Sequence, residues 1–420
     1  MVGLGKTIWL VNHAAMPPQY EVRIQTLKRA QYLRDYGFKV LIISGSFLHN
    51  TDINLIDDQS PYQFVDYEGG HSFIHIRTKN YNGNGIWRIF NLIFFYYRLW
   101  RYASKFEKPD YISHIAAVPF SNITYFIAKK FKAKFIVDVV DLWPESFVAY
   151  GLISKKNLLL KLAYKAEYWL YNKADFLIFS MEGGKDYIKE KGWAAQQGGS
   201  INLDKIIYIN NGVDLQDFDY NQKHYKLDDV DLENEHLFNV IYVGSIRLAN
   251  NLKQLIDAAE LLKDLPRVKF LIYGDGEDRK HLENYCLEKN ISNVVFKQRW
   301  VELKYIPYIL SKSSLNILNY KNSEILRFGG SQSKSFQYMA SGKPICANVA
   351  MSYCPINHFN LGIAKEFQSS LEYASAIKLI YNLDEEAYLQ MCVNAREASK
   401  IYDYKSLTKK FVNALFNYTI

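Results

Sequence analysis

The stretch SQSKSFQYMASGKP, residues 331–344, places a lysine at the start of a predicted helix. Ser333 could cap this helix, Lys334 lies in its first turn, and Gln337 follows one turn later. A helix N-terminus already carries unpaired N–H groups and positive partial charge, so a cation there is unfavourable unless an anion is bound nearby. The pattern therefore predicts an anion site at the start of this helix.

Glycine turns follow predicted strands in the same half of the chain. YVGSIR contains Gly244, and YGDGED contains Gly274 and Gly276. A strand, a glycine turn and a helix start together aim backbone N–H groups at phosphate. For any single glycine a tight turn is the simpler explanation. Three such glycines, with Lys334 and Arg247, favour a phosphate site and predict a diphosphate as its ligand.

An aromatic, basic segment spans residues 85–108, GIWRIFNLIFFYYRLWRYASKFEK. Its longest uncharged run is too short to cross a bilayer, but aromatic residues interleaved with Arg are typical of a helix lying in a membrane interface. The alternative is an ordinary helix packed on a sheet. The residues assigned to the membrane are Trp87, Phe90, Phe94, Phe95, Arg98, Trp100 and Arg101.

The elements that must position these residues alternate along the chain. Short β-branched runs such as KVLIIS, KFIVDVVD and NVIYVGS alternate with amphipathic stretches, which indicates βα units around buried parallel sheets. Ligands of such domains bind at the carboxyl ends of the strands. The predicted division is an N-terminal domain (1–219), a charged linker (220–238), a C-terminal domain (239–400) and a final helix (401–420).

Composition limits the class of protein. A chain of 420 residues with 49% hydrophobic and 22% charged residues predicts two folded domains, and a net charge of +8 favours an acidic partner. No helix-turn-helix, RNP-like or zinc pattern supports nucleic acid as that partner. The four cysteines have no metal-type spacing, and neither a signal peptide nor a spanning segment is evident. We therefore expect a cytoplasmic protein.

The ordered segments PPQYEVR, VDLWPES, NNGVDLQDF, YVGSI, YGDGED and SQSKSFQYMASGKPI resemble the family 4 glycosyltransferases of GT-B fold. Within that family they resemble the O-antigen and capsule branch, similar to fucosamine transferases, that is marked by DLWPES. The resemblance covers nearly the whole chain. It implies an α/β chain of two Rossmann-like doubly wound domains facing a central cleft, with the C-terminal helix returning to the first domain.

The resemblance also implies retaining transfer from a nucleotide sugar, most often a UDP-sugar, without metal or cofactor. A leaving nucleotide diphosphate needs preorganised cations, and Lys334 and Arg247 fit by type and position. A metal-dependent enzyme would want a DxD, and the only such triplet, residues 229–231, is interpreted as solvated charge. The predicted donor-binding residues are Gly244, Ser245, Gly274, Gly276, Arg299, Ser333 and Gln337.

The acceptor is expected in the first domain. Asp141 of VVDLWPES follows a predicted buried strand, where a carboxylate can orient or deprotonate an acceptor hydroxyl; capping the next helix is its alternative. Trp143 could stack on a sugar or fill core. The remaining acceptor-side candidates are Glu145, His114, for which a structural histidine is the competing interpretation, and Arg23, which could face phosphate or solvent.

The chain departs from the family pattern at several positions. Many members have two glutamates where this sequence has Gly329 and Gln337, and basic residues where it has Ser245 and Asn250. An amide oxygen can still accept from a ribose hydroxyl, without the charge assistance of a carboxylate. These departures support a rival hypothesis, a catalytically degenerate scaffold or regulatory partner at the membrane. A nucleotide-sugar epimerase would not need the aromatic basic helix.

The resulting prediction is a bacterial, peripheral-membrane glycosyltransferase on the inner face of the cytoplasmic membrane. Its predicted partners are a nucleotide sugar, a polyprenyl-diphosphate-linked saccharide acceptor and an anionic membrane surface, with no nucleic acid. The sequence does not name the sugar or the acceptor glycan, because specificity depends on the shape of the pocket.

Overall fold

The computed structural model describes residues 2–20, 24–49, 51–83, 85–116 and 120–417. The chain forms two compact units. The first unit comprises Met1–Asn210 and Leu407–Ile420, and the second comprises Asn211–Ser406. Both boundaries differ from those expected from composition, by nine residues at the first division and by six at the last.

The first unit contains an eight-stranded sheet in the order β3-β4-β2-β1-β5-β6-β7-β8. Only the β3–β4 edge pair is antiparallel. The strands are β1 (Thr7–Val11), β2 (Lys39–Gly45), β3 (Tyr62–Tyr67), β4 (His71–Ile76), β5 (Tyr111–Ile115), β6 (Lys134–Val139), β7 (Phe176–Phe179) and β8 (Ile206–Tyr208). The helices are α1 (Gln25–Asp35), α2 (Ile86–Tyr102), α3 (Asn122–Phe131), α4 (Glu145–Ala149), α5 (Leu158–Lys173) and α6 (Gly184–Glu190).

The direction of the strand order reverses between β1 and β5, which lie side by side. Helix α1 connects β1 to β2 on one side of this point. The chain then returns from β4 to β5 through α2 and continues in the opposite direction, to β6 through α3 and to β7 through α5. Because parallel crossovers are right-handed, α1 covers one face of the sheet and α2, α3 and α5 cover the other. Strand β1 is buried along its whole length, as expected for a strand covered on both faces.

The second unit contains a six-stranded, fully parallel sheet in the order β11-β10-β9-β12-β13-β14. Its strands are β9 (Phe238–Val243), β10 (Val268–Tyr273), β11 (Val294–Phe296), β12 (Leu315–Asn319), β13 (Ile345–Asn348) and β14 (Gly362–Lys365). Its helices are α7 (Leu215–His224), α8 (Val230–Glu233), α9 (Leu252–Glu260), α10 (Arg279–Glu288), α11 (Ile306–Ser311), α12 (Ser333–Ala340), α13 (Pro355–His358), α14 (Ser370–Tyr381), α15 (Glu385–Ile401) and α16 (Tyr404–Asn417), which crosses into the first unit.

Helix α16 completes the first unit, as the sequence predicted for the C-terminal helix. The guanidinium carbon of Arg29, on α1, lies 5.3 Å from the ring centroid of Phe411. The rings of Phe38 and Phe416 are 6.2 Å apart. Residues 407–417 therefore pack against the α1 side of the first sheet.

The acidic triplet at residues 229–231 is not solvated charge, which corrects the sequence interpretation. Asp229 and Asp231 are buried, and the ammonium of Lys297 lies 2.7 and 2.6 Å from their carboxylate oxygens. Burial opposes the ionisation of Asp231, but hydrogen bonds from Lys269 and Lys297 bring its pKa below the ordinary value. This network fastens part of the predicted linker, which includes α8, to the second unit.

Candidate functional site

Lys334 lies against the glycine turn that follows β9. A Cβ built on Gly244 would come 1.9 Å from the Lys334 Nζ, so only a glycine leaves room for the ammonium group there. The Lys334 Nζ is also 3.4 Å from the Tyr242 hydroxyl oxygen and 4.8 Å from the centroid of that ring. The structure thus brings together the lysine and one of the glycines that the sequence assigned to the same site.

The electrostatics of Lys334 are those of a cation with little solvation. Burial lowers its pKa from 10.5 to about 8. Within the described residues, its ammonium contacts Tyr242 and Gly244, and neither supplies negative charge. An ammonium in this position would be stabilised by an anion more strongly than a solvated lysine would be.

Helix α12 begins at Ser333, and its N-cap is Gln332, whose side chain makes no capping hydrogen bond. The expectation that Ser333 caps the helix is therefore wrong, because Ser333 already has a helical position. Lys334 and Gln337 are both half-buried and one turn apart, so they share a face of the helix.

The glycines after β10 have a packing function. A Cβ on Gly274 would lie 1.9 Å from the carbonyl oxygen of Gly244, and one on Gly276 would lie 2.1 Å from that of Ile246. Their φ angles of 130° and 158° also favour glycine. These contacts hold the β9 and β10 turns against each other, and they neither require nor exclude a nucleotide.

Arg279 supports the same turns, and the sequence analysis missed it. Its guanidinium is buried, donates to the carbonyl oxygens of Gly274 and Lys297, and pairs with Glu283 at 2.6 Å. A buried arginine in the first turn of a helix is unusual, but its sequence position alone resembles an exposed one.

The other donor-side residues are more exposed. Arg247 has no ion pair within the described ranges, and its side chain is open to solvent. Arg299 is exposed but already paired, 3.0 Å from Asp275 and 3.7 Å from Glu283. The Ser245 hydroxyl lies 3.3 Å from the Asn250 side-chain oxygen. The structure does not assign a ligand to any of them.

An open pocket of about 640 Å³ lies at the carboxyl ends of β12, β13 and β14. Charged side chains of both signs line it, together with Met351. A Cβ on Gly330 would lie 2.6 Å from the sulfur of Met351, so Gly330 packs against a residue that lines this pocket. The charged lining residues are Glu324, Arg327, Lys365 and Glu366.

In the first unit, Asp141 lies two residues beyond β6, at the carboxyl end of the strand, and is exposed. Helix α4 has Pro144 as its N-cap, so Asp141 does not cap it. Trp143 is 37% exposed, and its ring meets Phe147 edge-on with centroids 4.1 Å apart. The peptide bond between Trp143 and Pro144 is cis.

Glu145 is placed in a structural network. It is buried, accepts a hydrogen bond of 2.5 Å from the Tyr164 hydroxyl and pairs with Lys191. Behind it lies the fully buried Glu167, which accepts hydrogen bonds from Tyr187 and whose pKa burial raises to about 8. These contacts indicate a structural role for Glu145 in addition to the predicted role in acceptor binding.

His114 is fully buried at the carboxyl end of β5. Its Nε2 lies 3.3 Å from the Tyr96 hydroxyl, and burial lowers its pKa to about 3, so the ring is neutral. These contacts agree with a structural histidine. Arg23, the remaining acceptor-side candidate, lies outside the described residues.

A buried polar group lies at the sheet position where the strand order reverses, and the sequence analysis missed it. The Arg29 guanidinium is 2.6 Å from the Asp138 carboxylate, which also accepts a 2.7 Å hydrogen bond from Ser113. The detectable signal was Asp138 itself, a charged residue inside the apolar run KFIVDVV, because a buried carboxylate needs a partner.

Helix α2 has one buried and one exposed apolar face. Phe95 is fully buried, with its ring 5.0 Å from those of His13 and Tyr96, so its assignment to the membrane is wrong. Phe94 and Arg98 are half-buried and Arg101 is exposed. The exposed apolar residues are Ile86, Trp87, Ile89, Phe90, Ile93, Tyr97 and Trp100.

Metal-ion clusters and membrane-spanning helices are both absent from the described ranges. No cluster of three or more His, Cys, Asp or Glu side chains there is arranged to hold a metal ion. No helix in that part of the chain has the length and hydropathy required to cross a bilayer.

Comparison with solved structures identifies the fold. HepE of Anabaena in complex with UDP and glucose is 14% identical, covering 98% of this chain and 100% of that one, with a TM-score of 0.62. Sucrose-phosphate synthase of Thermosynechococcus elongatus is 15% identical over 99% and 100%, with a TM-score of 0.69. WaaG, a glycosyltransferase involved in lipopolysaccharide biosynthesis, is 13% identical over 97% and 99%, with a TM-score of 0.61. The predicted GT-B fold class is thereby confirmed.

No curated protein sequence matches the chain at a significant level. Residues 226–398 match the family described as Glycosyl transferases group 1. This range contains the Gly244 turn, the Gly274–Gly276 turn and Lys334. The family match thus covers most of the second unit, and the chain has the fold of GT-B glycosyltransferases.

Proposed function

We propose that the chain transfers a sugar, with retention of configuration, from a UDP-sugar to a lipid-linked glycan precursor. The setting would be the synthesis of a bacterial surface polysaccharide such as O-antigen or capsule, at the inner face of the cytoplasmic membrane. One observation carries the donor assignment: the poorly solvated ammonium of Lys334 lies in the first turn of α12, against Gly244. Such a site suits a diphosphate.

In this reaction the bond between the anomeric carbon and the β-phosphate oxygen breaks, and its electron pair stays on the leaving UDP. A new bond forms between that carbon and an acceptor hydroxyl oxygen, whose proton passes to a carboxylate or to the leaving phosphate. The developing charge on UDP is stabilised by Lys334 and Arg247 without a metal ion. Gln337 accepts a hydrogen bond from the ribose.

The choice of UDP rests on two observations outside the chain's own residues. The Anabaena neighbour has UDP and glucose bound. A second similar structure, described as trehalose-6-phosphate from E. coli, has UDP-2-fluoro glucose bound, with 11% identity and a TM-score of 0.71. Likeness at this level concerns the fold alone, so the comparison of UDP with ADP and GDP below is the test of the base. The open pocket beside Gly330 offers volume for a sugar.

The acceptor residues are proposed in the first unit. Asp141 is exposed at the end of β6, where its carboxylate can accept the proton of a sugar hydroxyl. Trp143 offers a partly exposed ring for stacking on a sugar. Glu145 would act through its network with Lys191, as a positioning residue rather than a contact.

A lipid-linked acceptor requires the protein to reach a membrane. The exposed side of α2 supports this requirement, because Trp87, Phe90 and Trp100 are 64, 43 and 55% exposed. The opposite side of the helix, which includes Phe95 and Leu99, is packed in the first unit. We infer that α2 lies in the bilayer interface through its aromatic side.

Thermal unfolding of the purified protein with UDP, ADP or GDP tests the donor site. A ligand at about 100 times its Kd adds about 2.7 kcal/mol, which for a unit of this size corresponds to roughly 5 °C or more. We expect UDP alone to produce this shift and Lys334→Ala to remove it. Lys263→Ala, which removes an exposed lysine of the same unit, is the matched control and should respond like the wild type.

The same variants test turnover with UDP-sugars. Loss of one preorganised group that stabilises the leaving charge costs about 10²- to 10³-fold in kcat. Near-normal turnover by Lys334→Ala would refute the assignment. If no nucleotide shifts the melting temperature, the catalytically degenerate scaffold suggested by Gly329 and Gln337 becomes the better explanation.

A further inference from the structure

Helix α2 does not stand alone on its face of the first sheet. Helices α2, α3 and α5 lie on the same side, with α3 in contact with both of the others. The Lys130 ammonium on α3 is 2.7 Å from the hydroxyl of Ser104, just after α2. The Tyr125 and Trp169 rings join α3 to α5, with centroids 5.2 Å apart.

The start of α5 is the second large exposed apolar feature of this layer. The side chain of Asn157 caps the helix by accepting a 2.8 Å hydrogen bond from the Leu159 N–H. The next turn exposes Leu158, Leu159 and Leu162 at 72, 71 and 57%, while Leu160 is buried. In the preceding loop, Tyr150 and Leu152 are 59 and 69% exposed. Five large apolar side chains thus face solvent within thirteen residues, which is more than isolated surface leucines require.

Apart from the buried Glu167, the charged side chains of these three helices are all positive. Residues 85–105, 120–134 and 146–166 each contain four Lys or Arg and no Asp or Glu. The whole chain has 43 acidic residues in 420, so about six would be expected in these segments if acidic residues were evenly spread. Lysines at positions 155, 156, 161 and 165 surround the exposed leucines. Apolar side chains ringed by cations match an anionic bilayer, whose headgroups attract each nearby cation.

We propose that the segment from Tyr150 to Leu162, here called the α5 entry, is a second membrane-inserting element beside α2. The occupant of this surface is an anionic lipid bilayer. The inference rests on the proposed function only in extending the membrane contact of α2; it requires neither the donor nor the acceptor chemistry. Two insertion points on one layer of helices would define the orientation of the first unit on the membrane. With a single inserted helix, the unit could still rotate about the axis of that helix.

Two triple variants separate the elements. The first is Leu158→Ser with Leu159→Ser and Leu162→Ser, and the second changes Trp87, Phe90 and Trp100 to Ser. Cosedimentation with vesicles of phosphatidylglycerol and phosphatidylcholine measures the partition coefficient of each. We expect the α5-entry variant to bind more weakly by about tenfold for each leucine that inserts, and phosphatidylcholine vesicles to bind the wild type weakly.

The matched control is Leu287→Ser with Leu371→Ser in the second unit, where the two leucines are 76 and 66% exposed. It removes two exposed leucine side chains against the three of the α5-entry variant, and it should bind vesicles like the wild type. A second readout does not depend on weakened binding. The fluorescence emission of an environment-sensitive dye attached to Leu159→Cys should shift to the blue when vesicles are added, and the emission of the same dye on Leu287→Cys should not.

Each other outcome overturns the inference in a distinguishable way. If only the α2 variant loses binding and the Leu159→Cys dye does not respond, α2 acts alone and the α5 entry is not a membrane element. If the wild type does not bind vesicles but UDP still stabilises it, the membrane contact fails and the donor site stands. If the wild type is a dimer that the leucine variant makes monomeric, the surface is an interface between copies of the chain.

Discussion

The titration of Lys334 gives the sharpest test of the donor site. Burial places its pKa at about 8 in the free protein, against 10.5 for a solvated lysine. A bound diphosphate favours the charged form and so raises this pKa towards its ordinary value. Binding of UDP must then take up a proton wherever the free lysine is neutral, which makes the affinity fall as the pH rises through 8.

The magnitude follows from the two pKa values. At pH 7 the free ammonium is already charged, and raising the pH further to 9 costs about tenfold in affinity, or about 1.4 kcal/mol. Tyr242, the titratable group in contact with Lys334, does not titrate in this range because burial raises the pKa of its hydroxyl. Between pH 6 and 7 the contribution of Lys334 should be flat.

Isothermal titration calorimetry of UDP at pH 7, 8 and 9, in two buffers of different ionisation enthalpy, measures both the affinity and the proton uptake. Lys334→Met, which keeps an apolar side chain of similar length, is the reference for every other titrating group. The Lys334→Met variant should bind UDP about ten- to hundredfold more weakly at pH 7, since a hydrogen bond to a charged group is lost. Its affinity for UDP should also change less with pH. Equal pH profiles for the wild type and Lys334→Met would refute the reasoning.

Two further predictions concern Gly244 and Glu167. Gly244→Ala should reduce the thermal shift by UDP, because its Cβ would lie 1.9 Å from the Lys334 Nζ and the ammonium would have to move; an unchanged shift would contradict this packing. Glu167→Gln should flatten the pH dependence of folding stability. The raised pKa of this carboxyl, about 8, means that its contribution is complete below pH 4.5 and is lost as the pH rises to 8, by up to about 1.4 kcal/mol per unit. Urea unfolding at pH 5 and 8 measures the difference, and parallel curves for the two proteins would count against a neutral Glu167.

The proposed membrane contact of α2 and the α5 entry connects the two proposals. An acceptor held in a bilayer can be reached only if the first unit is oriented on the surface. The exposed faces of α2 and the α5 entry lie on one side of its sheet. The Asp141 carboxylate lies in the same β6-to-β7 connection that contains the α5 entry. A change in the orientation of the first unit on the membrane should therefore affect binding of the acceptor, and nucleotide binding by the second unit should be unaffected.

Local sequence signals predicted the elements well because strands and helices have their own periodicities. The runs KVLIIS, KFIVDVVD and NVIYVGS became β2, β6 and β9, and the helix that contains Lys334 began one residue earlier than its N-terminal pattern indicated. Short-range chemistry also placed Asp141 at the end of a buried strand. The β3–β4 edge pair was missed, since its alternation is weak and one partner, β3, is largely solvent-exposed.

The tertiary structure alone decided which side chains meet. The same aromatic composition that identified α2 could not separate Phe95, which is buried against His13, from Trp100, which faces solvent. Nor could composition show that the acidic triplet of the linker is neutralised by Lys297. Such pairings join residues that are distant along the chain, so no local pattern encodes them.

By itself, then, the sequence determined the alternation of strands and helices, the excess of positive charge, and a lysine at the start of a helix that follows glycine turns. It could do so because these properties are local or additive along the chain. The folded chain decided that Lys334 lies against Gly244, that Arg29 neutralises Asp138, and that three helices whose one carboxyl group, Glu167, is buried share one face. Those relations depend on strand order and crossover direction, which arise only when the sheets assemble.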